Sequence, residues 1–195
     1  MIVPIKPGLL LVVSGPSGVG KGTVCKRLLE LDSNIVLAVS ATTRRPRAQE
    51  IDGVHYHFIS MEEFIAKRRE LAFLEWAEVY GNYYGTLRAV VEGRLAAGLD
   101  VILEIDTQGA MQIRSACPTG VFVFIMPPSF EELRRRIVSR ATESSDIMNL
   151  RLSRAEFEMS LAADYDYSVI NHTVDQTAFD LLQILQQEKQ RRCNV

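Results

Sequence analysis

The amino-acid sequence predicts an α/β fold in which a parallel sheet is flanked by helices. Short apolar runs alternate with amphipathic helical patterns, the apolar runs are continuous, and a glycine-rich turn joins the first run to the first helix. Continuous apolar runs are typical of strands that are buried on both faces of a parallel sheet. The 195-residue length suits one compact domain, or a core that carries small inserts.

Five short runs rich in aliphatic residues are predicted as strands of this sheet. In chain order they are Leu9–Val13, Ile35–Val39, Val101–Ile105, Val121–Met126 and Tyr167–Ile170. Apolar residues three and four positions apart predict helices in the segments that follow them. These helices are Thr23–Glu30, Leu87–Ala97, Gln108–Ser115, Phe130–Arg140 and Asp175–Lys189. The alternation predicts βαβ units, whose ligands bind at the carboxyl ends of the strands.

Two segments interrupt the alternation. Residues 40–90 are rich in Arg, Tyr, Glu and Gly and are predicted to form a small α+β insert. Residues 130–160 are charged and helical, with a polar break, and are predicted to form a mobile helical arm. The predicted core consists of residues 1–39, 91–129 and 161–195.

The glycine-rich turn is the most informative segment, and it reads Gly15-Pro16-Ser17-Gly18-Val19-Gly20-Lys21-Gly22-Thr23. Backbone N–H groups in such a turn converge on one anion, and the helix N-terminal dipole adds to the attraction. Lys21 can then reach the terminal phosphates of a nucleoside triphosphate. All nine residues are therefore predicted to bind the phosphates of a nucleoside triphosphate, in the manner of P-loop NTPases.

The residue after Lys21 departs from the usual motif. A Ser or Thr ordinarily stands there to hold Mg²⁺, but this chain has Gly22, and the hydroxyl comes one position later, at Thr23. A Gly-Lys-Gly-Thr ending resembles many nucleoside monophosphate kinases, in which phosphates and water hold more of the metal. Thr23 is predicted to contact either a phosphate or a metal-bound water.

Composition argues against nucleic-acid and membrane partners. The formal net charge is −2, so no global basic field attracts nucleic acid. No run approaches the ~20 apolar residues of a membrane span, and the N-terminal run is too short for a signal peptide. Three cysteines without metal-ligand spacing suit a reducing compartment. A cytoplasmic location is expected, and the oligomeric state is left open.

Four further segments carry polar groups suited to nucleotides: Thr42-Thr43-Arg44-Arg45-Pro46-Arg47, Phe73-Leu74-Glu75, Gly81-Asn82-Tyr83-Tyr84-Gly85-Thr86 and Ile105-Asp106-Thr107-Gln108-Gly109. Arginine forks bind phosphate in a bidentate manner. Taken singly, the first segment is equally well explained as a basic surface loop, and the next two as a packed hairpin. Together with the phosphate loop, the four segments resemble the guanylate kinase family over essentially the whole chain.

The resemblance implies roles for the polar residues of the insert. The GMP phosphate would be held by Arg44, Arg47, Tyr56 and Tyr84, and the guanine would be read by Ser40, Glu75 and Thr86. A carboxylate at Glu75 suits this role, because it accepts from guanine N1–H and from the exocyclic amine. Adenine offers neither donor and would leave the carboxylate unpaired.

Two acidic residues, Glu104 and Asp106, stand two positions apart at the carboxyl end of a predicted strand and point to the same side. The resemblance places both in the GMP site and implies that Asp106 contacts the nucleotide or a metal-bound water. The family usually has aspartate at the first position. Glu104 therefore either contacts the metal or hydrogen-bonds to neighbouring groups.

Six arginines and no lysine occur between positions 131 and 154: Arg134, Arg135, Arg136, Arg140, Arg151 and Arg154. The resemblance identifies this arm as a lid whose Arg136, Arg140 and Arg151 contact ATP, with Arg154 matching less closely. Glycines usually flank the second lid arginine, whereas this chain has Ser139 and Ala141. The resemblance also places Asn171 near the ATP base.

The expected function is that of a guanylate kinase, which transfers a phosphoryl group from Mg²⁺-bound ATP to GMP, and to dGMP, by direct in-line displacement in purine nucleotide metabolism. The acceptor is an ionised phosphate, so no general base is needed. The residues expected to carry catalysis are Lys21, Arg44, Arg136, Arg140 and Arg151.

Three alternative functions fit the sequence less well. A kinase for another monophosphate is disfavoured by Glu75 and Ser40. A non-catalytic guanylate-kinase-like binding module would use the insert to hold a partner, and such modules tend to lose the phosphate-loop lysine and the lid arginines, which this chain retains. A P-loop regulator that binds without turnover would not need two arginine clusters. These features favour the enzyme.

Overall fold

The structure is a computed structural model that describes residues 6–79, 81–139 and 145–194. Its strands are β1 (Leu10–Ser14), β2 (Ile35–Leu37), β3 (Ala41–Thr42), β4 (His57–Phe58), β5 (Phe73–Val79), β6 (Asn82–Leu87), β7 (Asp100–Glu104), β8 (Val121–Met126) and β9 (Tyr167–Ile170). Its helices are α1 (Lys21–Leu31), α2 (Met61–Arg69), α3 (Arg88–Ala96), α4 (Thr107–Ala116), α5 (Phe130–Ser139), α6 (Ser145–Ser160) and α7 (Val174–Cys193), with a 3₁₀ turn at Leu161–Asp164.

The main sheet is wholly parallel and has the strand order β2-β7-β1-β8-β9, which confirms the predicted α/β fold. The central strand is β1, in which Val12 is paired with Leu103 on one side and with Phe122 on the other. The phosphate loop follows β1 directly. It therefore lies at the middle of the carboxyl edge of the sheet, where ligands of such folds bind.

The core has one apolar layer on each face of this sheet. Leu11 and Val13 belong to the layer that packs against α1 and α7, and Leu10 and Val12 belong to the layer that packs against α3 and α4. Successive residues of a strand point to opposite faces, so a strand covered on both sides must be apolar throughout. This requirement explains the continuous apolar runs of the sequence.

The ends of the predicted elements differ from those of the structure by a few residues. The predicted strand that begins at Ile35 ends at Leu37 rather than Val39, and the first helix begins at Lys21 rather than Thr23. Gly20 stands immediately before that helix with a φ of 100°, in the left-handed region. The change of backbone conformation there starts the helix two residues earlier than the apolar pattern indicates.

A second, mixed sheet is formed by residues within the 40–90 segment, in the order β4-β3-β6-β5. Its small core includes Phe64 of α2, whose ring stacks on that of Phe73 at a centroid distance of 4.5 Å. The side chain of Ser60 caps α2 by accepting a hydrogen bond from the N–H of Glu63. This sheet ends beside the carboxyl edge of the main sheet.

Helix α5 packs against the phosphate loop at Gly18. A Cβ on Gly18 would lie 3.0 Å from Ile137 and 3.6 Å from Leu133, both of which are buried. Arg140 and Ala141 lie outside the described residues. Within the part of the chain that the structure describes, no helix has both the length and the apolar character needed to cross a membrane.

Candidate active site

A cavity of about 590 Å³ opens at the carboxyl ends of β1 and β7 and extends to the second sheet. It brings together most of the predicted site residues: Gly15, Ser17, Gly18, Gly20, Lys21, Gly22, Thr23, Ser40, Arg47, Tyr56, Glu75, Tyr84, Glu104, Asp106 and Arg151. Six other predicted site residues are described by the structure but do not line this cavity, namely Pro16, Val19, Arg44, Thr86, Arg136 and Asn171. Arg140, as noted above, is outside the described residues.

The backbone of the phosphate loop depends on glycine at close approaches to the sheet. A Cβ on Gly15 would lie 2.3 Å from the carbonyl oxygen of Ile125 in β8, so a larger residue cannot be accommodated without moving one of the two backbones. Gly22 and Thr23 are exposed in the first turn of α1. Backbone N–H groups of a first helical turn have no partner within the helix, and they attract anions.

Lys21 is folded back onto its own loop. Its Nζ donates to the carbonyl oxygens of Gly15, at 2.6 Å, and Pro16, at 3.3 Å. Burial lowers the pKa of the Lys21 amine, and the nearby Glu104 carboxylate opposes this shift. A bound phosphate would offer the amine a charged acceptor, which makes a stronger hydrogen bond than a carbonyl does.

The carbonyl oxygen of Val19 is anchored from two sides. It accepts from Asn171 Nδ2 at 2.8 Å and from an Nη of Arg136 at 3.2 Å. Asn171 is 4% exposed, and its Oδ1 accepts from the hydroxyl of Thr177 at 3.0 Å. Two residues that were predicted from the resemblance to contact ATP therefore support the phosphate loop in this structure.

Replacing Asn171 with alanine is expected to lower the free energy of unfolding by about 1–3 kcal/mol, because the buried hydrogen bonds to Val19 and Thr177 are lost. The change is measured by urea unfolding. As a control, alanine in place of the exposed neighbour His172 should leave stability within about 0.5 kcal/mol of the unsubstituted protein. Equal stability of the two variants would contradict an anchoring role for Asn171.

A buried acid lies on the insert side of the cavity. Glu75 in β5 is 5% exposed, and its Oε1 accepts from the Thr86 hydroxyl at 2.7 Å. A Cβ on Gly109 would lie 2.7 Å from Glu75 Oε2, so the glycine makes room for the carboxylate. The pKa of Glu75 is raised to about 7, mainly because the carboxyl group is buried. The nearby Asp106 charge also raises this pKa, whereas the hydrogen bond from Thr86 lowers it.

The arginine-rich turn is organised by a carboxylate that sequence reasoning missed. Glu50 Oε1 accepts from Arg44 at 2.8 Å, and Glu50 Oε2 accepts from the backbone N–H of Arg47 at 2.8 Å. These hydrogen bonds lower the pKa of Glu50 to about 2. The Arg44 guanidinium also lies 5.5 Å from the ring centre of Tyr56, whose ring lies edge-on to that of Tyr84.

The two acids at the end of β7 differ in their surroundings. Asp106 caps α4, since its Oδ1 accepts from the N–H of Gly109 at 2.9 Å. The Glu104 carboxylate oxygens lie 3.4 Å from the position that a Cβ on Gly22 would occupy, and burial raises the pKa of Glu104. The longer glutamate side chain thus reaches the first turn of α1.

Magnesium is compatible with these oxygen donors. No group of three or more His, Cys, Asp or Glu side chains suited to a metal is found among the described residues. Mg²⁺ ordinarily needs no such cage, because it keeps several waters and binds through one or two carboxylates together with substrate phosphates. Asp106, Glu104 and the Thr23 hydroxyl line the same cavity and fit that pattern.

Helix α6 contributes a further wall. An Nη of Arg151 donates to the hydroxyl of Ser17 at 3.3 Å, and the Ser17 N–H donates to Glu158 Oε2 at 3.2 Å. Arg154 and Glu158 also line the cavity. The resemblance matched Arg154 to the lid arginines less closely than Arg151, and it gave Glu158 no role. The spacing of three between Arg151 and Arg154 indicates a shared helix face, whereas no local pattern indicated Glu158.

Comparisons with known proteins agree with the architecture. The sequence model of the family described as guanylate kinase matches residues 8–188. The guanylate kinase of Clostridioides difficile (strain 630) is 50% identical over 187 residues, which are 96% of this chain and 91% of that relative. The guanylate kinase of Caldanaerobacter subterraneus subsp. tengcongensis is 50% identical over 186 residues, 95% of this chain and 90% of that relative.

A solved guanylate kinase structure also resembles this chain. The crystal structure of guanylate kinase from Anaplasma phagocytophilum superposes with a TM-score of 0.78 at 38% sequence identity. The match covers 94% of this chain and 87% of that one.

Proposed function

Because the chain belongs to the guanylate kinase family, we propose that it transfers the γ-phosphoryl group of ATP to GMP, giving ADP and GDP. The observation that carries the proposal is that one cavity is lined both by Lys21 of the phosphate loop and by Glu75 of the insert. A phosphate-binding loop and a buried acceptor of hydrogen bonds therefore face a common space.

Recognition of guanine is assigned to the buried pair of Glu75 and Thr86, together with Ser40, which lines the same cavity as Glu75. The hydrogen bond from the Thr86 hydroxyl orients the carboxylate of Glu75 before the base arrives. That carboxylate would accept from guanine N1–H and from the 2-amino group. A base without these donors leaves the acid unpaired, and sites built in this way can discriminate by ~10⁴ or more.

The acceptor phosphate is assigned to the basic turn and the two tyrosines. Arg47, Tyr56 and Tyr84 line the cavity, and the Arg44 guanidinium, which is paired with Glu50, lies 5.5 Å from the ring centre of Tyr56. Holding the GMP phosphate in line with the γ-phosphoryl group converts the transfer into an effectively unimolecular step. No side chain need act as a base, because the attacking oxygen is already ionised.

The donor phosphates are assigned to the loop from Gly15 to Thr23 and to the lid. Lys21 and Arg151 line the cavity, and Arg136 donates to the carbonyl oxygen of Val19 in the loop. These cations, together with Arg140, would stabilise the charge that develops on the transferring group. Asn171 would act on ATP through the loop that it anchors.

Magnesium would be held by the phosphates together with Asp106, Thr23 and Glu104, in part through water. When bound, Mg²⁺ would neutralise part of the negative charge of the phosphates. We propose dGMP as a second acceptor for the same cavity. We place the enzyme in cytoplasmic purine nucleotide metabolism.

The insert (residues 40–90) and the lid (residues 130–160) are proposed to close over the core when both nucleotides are bound. Glu75, Arg47 and Tyr84 belong to the insert, whereas Arg151 belongs to the lid. Closure would exclude water from the γ-phosphoryl group and so prevent hydrolysis of ATP without an acceptor.

The KM for GMP is expected to rise as the pH falls below about 7, because the raised pKa of Glu75 leaves its carboxyl group protonated there. Only the ionised form accepts both guanine hydrogen bonds, so affinity should fall by up to about tenfold per pH unit below that pKa. Steady-state assays at a series of pH values test this expectation.

The GMP phosphate also titrates near pH ~6, so the Glu75→Gln variant, which retains that titration, serves as the reference. Identical pH profiles for the two proteins would contradict the assignment.

The function is tested by ADP release from Mg²⁺–ATP with GMP, dGMP, AMP, UMP, CMP or dTMP as acceptor, and without acceptor. We expect turnover with GMP and dGMP alone. Tight GMP binding without turnover would instead support the non-catalytic binding module. Preferred turnover of another monophosphate would identify a different nucleotide kinase.

A further inference from the structure

Arg154 lies on the cavity wall between carboxylates from two different elements. Its Nε donates to Glu158 Oε1 at 3.2 Å, and an Nη lies 3.7 Å from Asp106 Oδ2. The Arg154 side chain is 35% exposed and lines the cavity that also contains Lys21. The guanidinium is thus held between the lid helix α6 and the end of β7 while it remains accessible to a ligand.

The carboxylate that orients Arg154 is itself held by the phosphate loop. Glu158 has a side chain that is only 8% exposed, and its second oxygen accepts from the Ser17 N–H at 3.2 Å. A buried carboxylate is stable only when it is paired and hydrogen-bonded. Its two oxygens therefore define the position of the Arg154 guanidinium relative to the loop.

We propose that Arg154 is a further substrate-binding residue, whose guanidinium contacts the donor phosphates, and that Glu158 is the positioning residue that orients it. The inference rests on the function proposed above and adds a residue to it. Arginine is suited to this task because its planar group presents several N–H donors in a fixed fork.

Charge balance supports the assignment. Glu158, Asp106 and Glu104 place three carboxylates around the space where a triphosphate would bind. Arg154 stands between two of them, so the incoming phosphates meet a cation at that wall rather than two anions. Anions close together in a poorly solvated site repel strongly, and Arg154 would remove that repulsion while it binds the phosphates.

The alternative is that Arg154 only neutralises Glu158. A set of substitutions separates the two roles: Arg154→Gln, Glu158→Gln and the double variant, with Glu156→Gln as the control. Glu156 is an exposed acid on the same helix and does not line the cavity. If Arg154 were only a counter-ion, the double variant would regain activity, because neither charge would then remain unpaired.

For Arg154→Gln, kcat with Mg²⁺–ATP and GMP is expected to fall about 10–100-fold, with a higher KM for ATP and a KM for GMP unchanged within about twofold. The double variant should remain as defective as Arg154→Gln. Glu158→Gln should lower kcat by about tenfold, because the guanidinium is no longer oriented.

Unchanged kinetics of Arg154→Gln, or recovery in the double variant, would overturn the substrate contact. Unchanged kinetics of Glu158→Gln would overturn the positioning role.

Thermal unfolding of each variant shows whether the fold is retained. If Arg154→Gln does not fold, the Arg154→Lys variant distinguishes the two roles, because lysine keeps the positive charge but lacks the planar guanidinium and its several N–H donors. A several-fold lower kcat supports the proposal, and an unchanged kcat overturns it.

Titration calorimetry with ATP gives a readout that does not depend on turnover. Absence of activity in the unsubstituted protein would count against the proposed function, whereas equal ATP affinity of that protein and Arg154→Gln would count against the inference alone.

Discussion

Replacing Lys21 with alanine is expected to lower kcat by about 10³-fold. In this structure the amine is buried against the loop carbonyls of Gly15 and Pro16, within the cavity that the donor phosphates would enter. Its charge would then be available where negative charge accumulates during transfer. Burial lowers the pKa of this amine, and bound phosphates would favour the protonated form again.

The matched control is Lys26→Ala, an exposed lysine five positions further along the same helix. We expect it to leave kcat and both KM values within about twofold of those of the unsubstituted enzyme. Steady-state kinetics at saturating GMP provide the comparison, and urea unfolding confirms that both variants fold. A Lys21→Ala enzyme with kcat within about tenfold of the original would show that the amine is not needed for transfer.

Replacing Glu75 with glutamine is expected to lower kcat/KM for GMP by about 10²–10⁴-fold, because two hydrogen bonds to a charged acceptor are lost. Glutamine has nearly the same size and keeps an oxygen for the Thr86 hydroxyl. Its amide nitrogen, however, would face guanine donors with further donors. The preference for GMP over AMP should shrink accordingly, whereas the KM for ATP should be largely unchanged.

Glu78→Gln is the control for this substitution. Glu78 lies three positions along β5, is exposed and does not line the cavity. Measurement of kcat/KM for GMP and AMP in both variants decides the assignment. If Glu75→Gln keeps the original ratio of GMP to AMP, the guanine is read by other groups.

Features that depend on local sequence were predictable. The apolar runs at Leu9–Val13 and Val121–Met126 correspond to central strands, because burial on both faces forces continuous apolar sequence. The phosphate loop was recognisable because strand, glycine-rich turn, lysine and helix follow one another directly along the chain. The family resemblance, which the comparisons confirm, rests on similarly contiguous segments.

Contacts between distant segments were not predictable. Asn171 and Val19 are 152 positions apart, and Ser17 and Glu158 are 141 apart, yet each pair is joined by a hydrogen bond. No local pattern marks Glu158 as a cavity residue, because a helical glutamate beside arginines is equally typical of a solvated face. Glu50 was missed for a similar reason, since its role depends on the turn that places it against Arg44.

The sequence by itself therefore determined the α/β class, the phosphate loop and the kinds of group available to bind nucleotides, because those depend on residue type and on spacing along a few turns of chain. The tertiary structure decided which of these groups share the cavity, which support the loop from behind, and which carboxylates orient the arginines. Burial and charge pairing arise only when segments from opposite ends of the chain meet. The raised pKa of Glu75, the anchoring of Val19 by Asn171 and the placement of Arg154 by Glu158 are all consequences of that meeting.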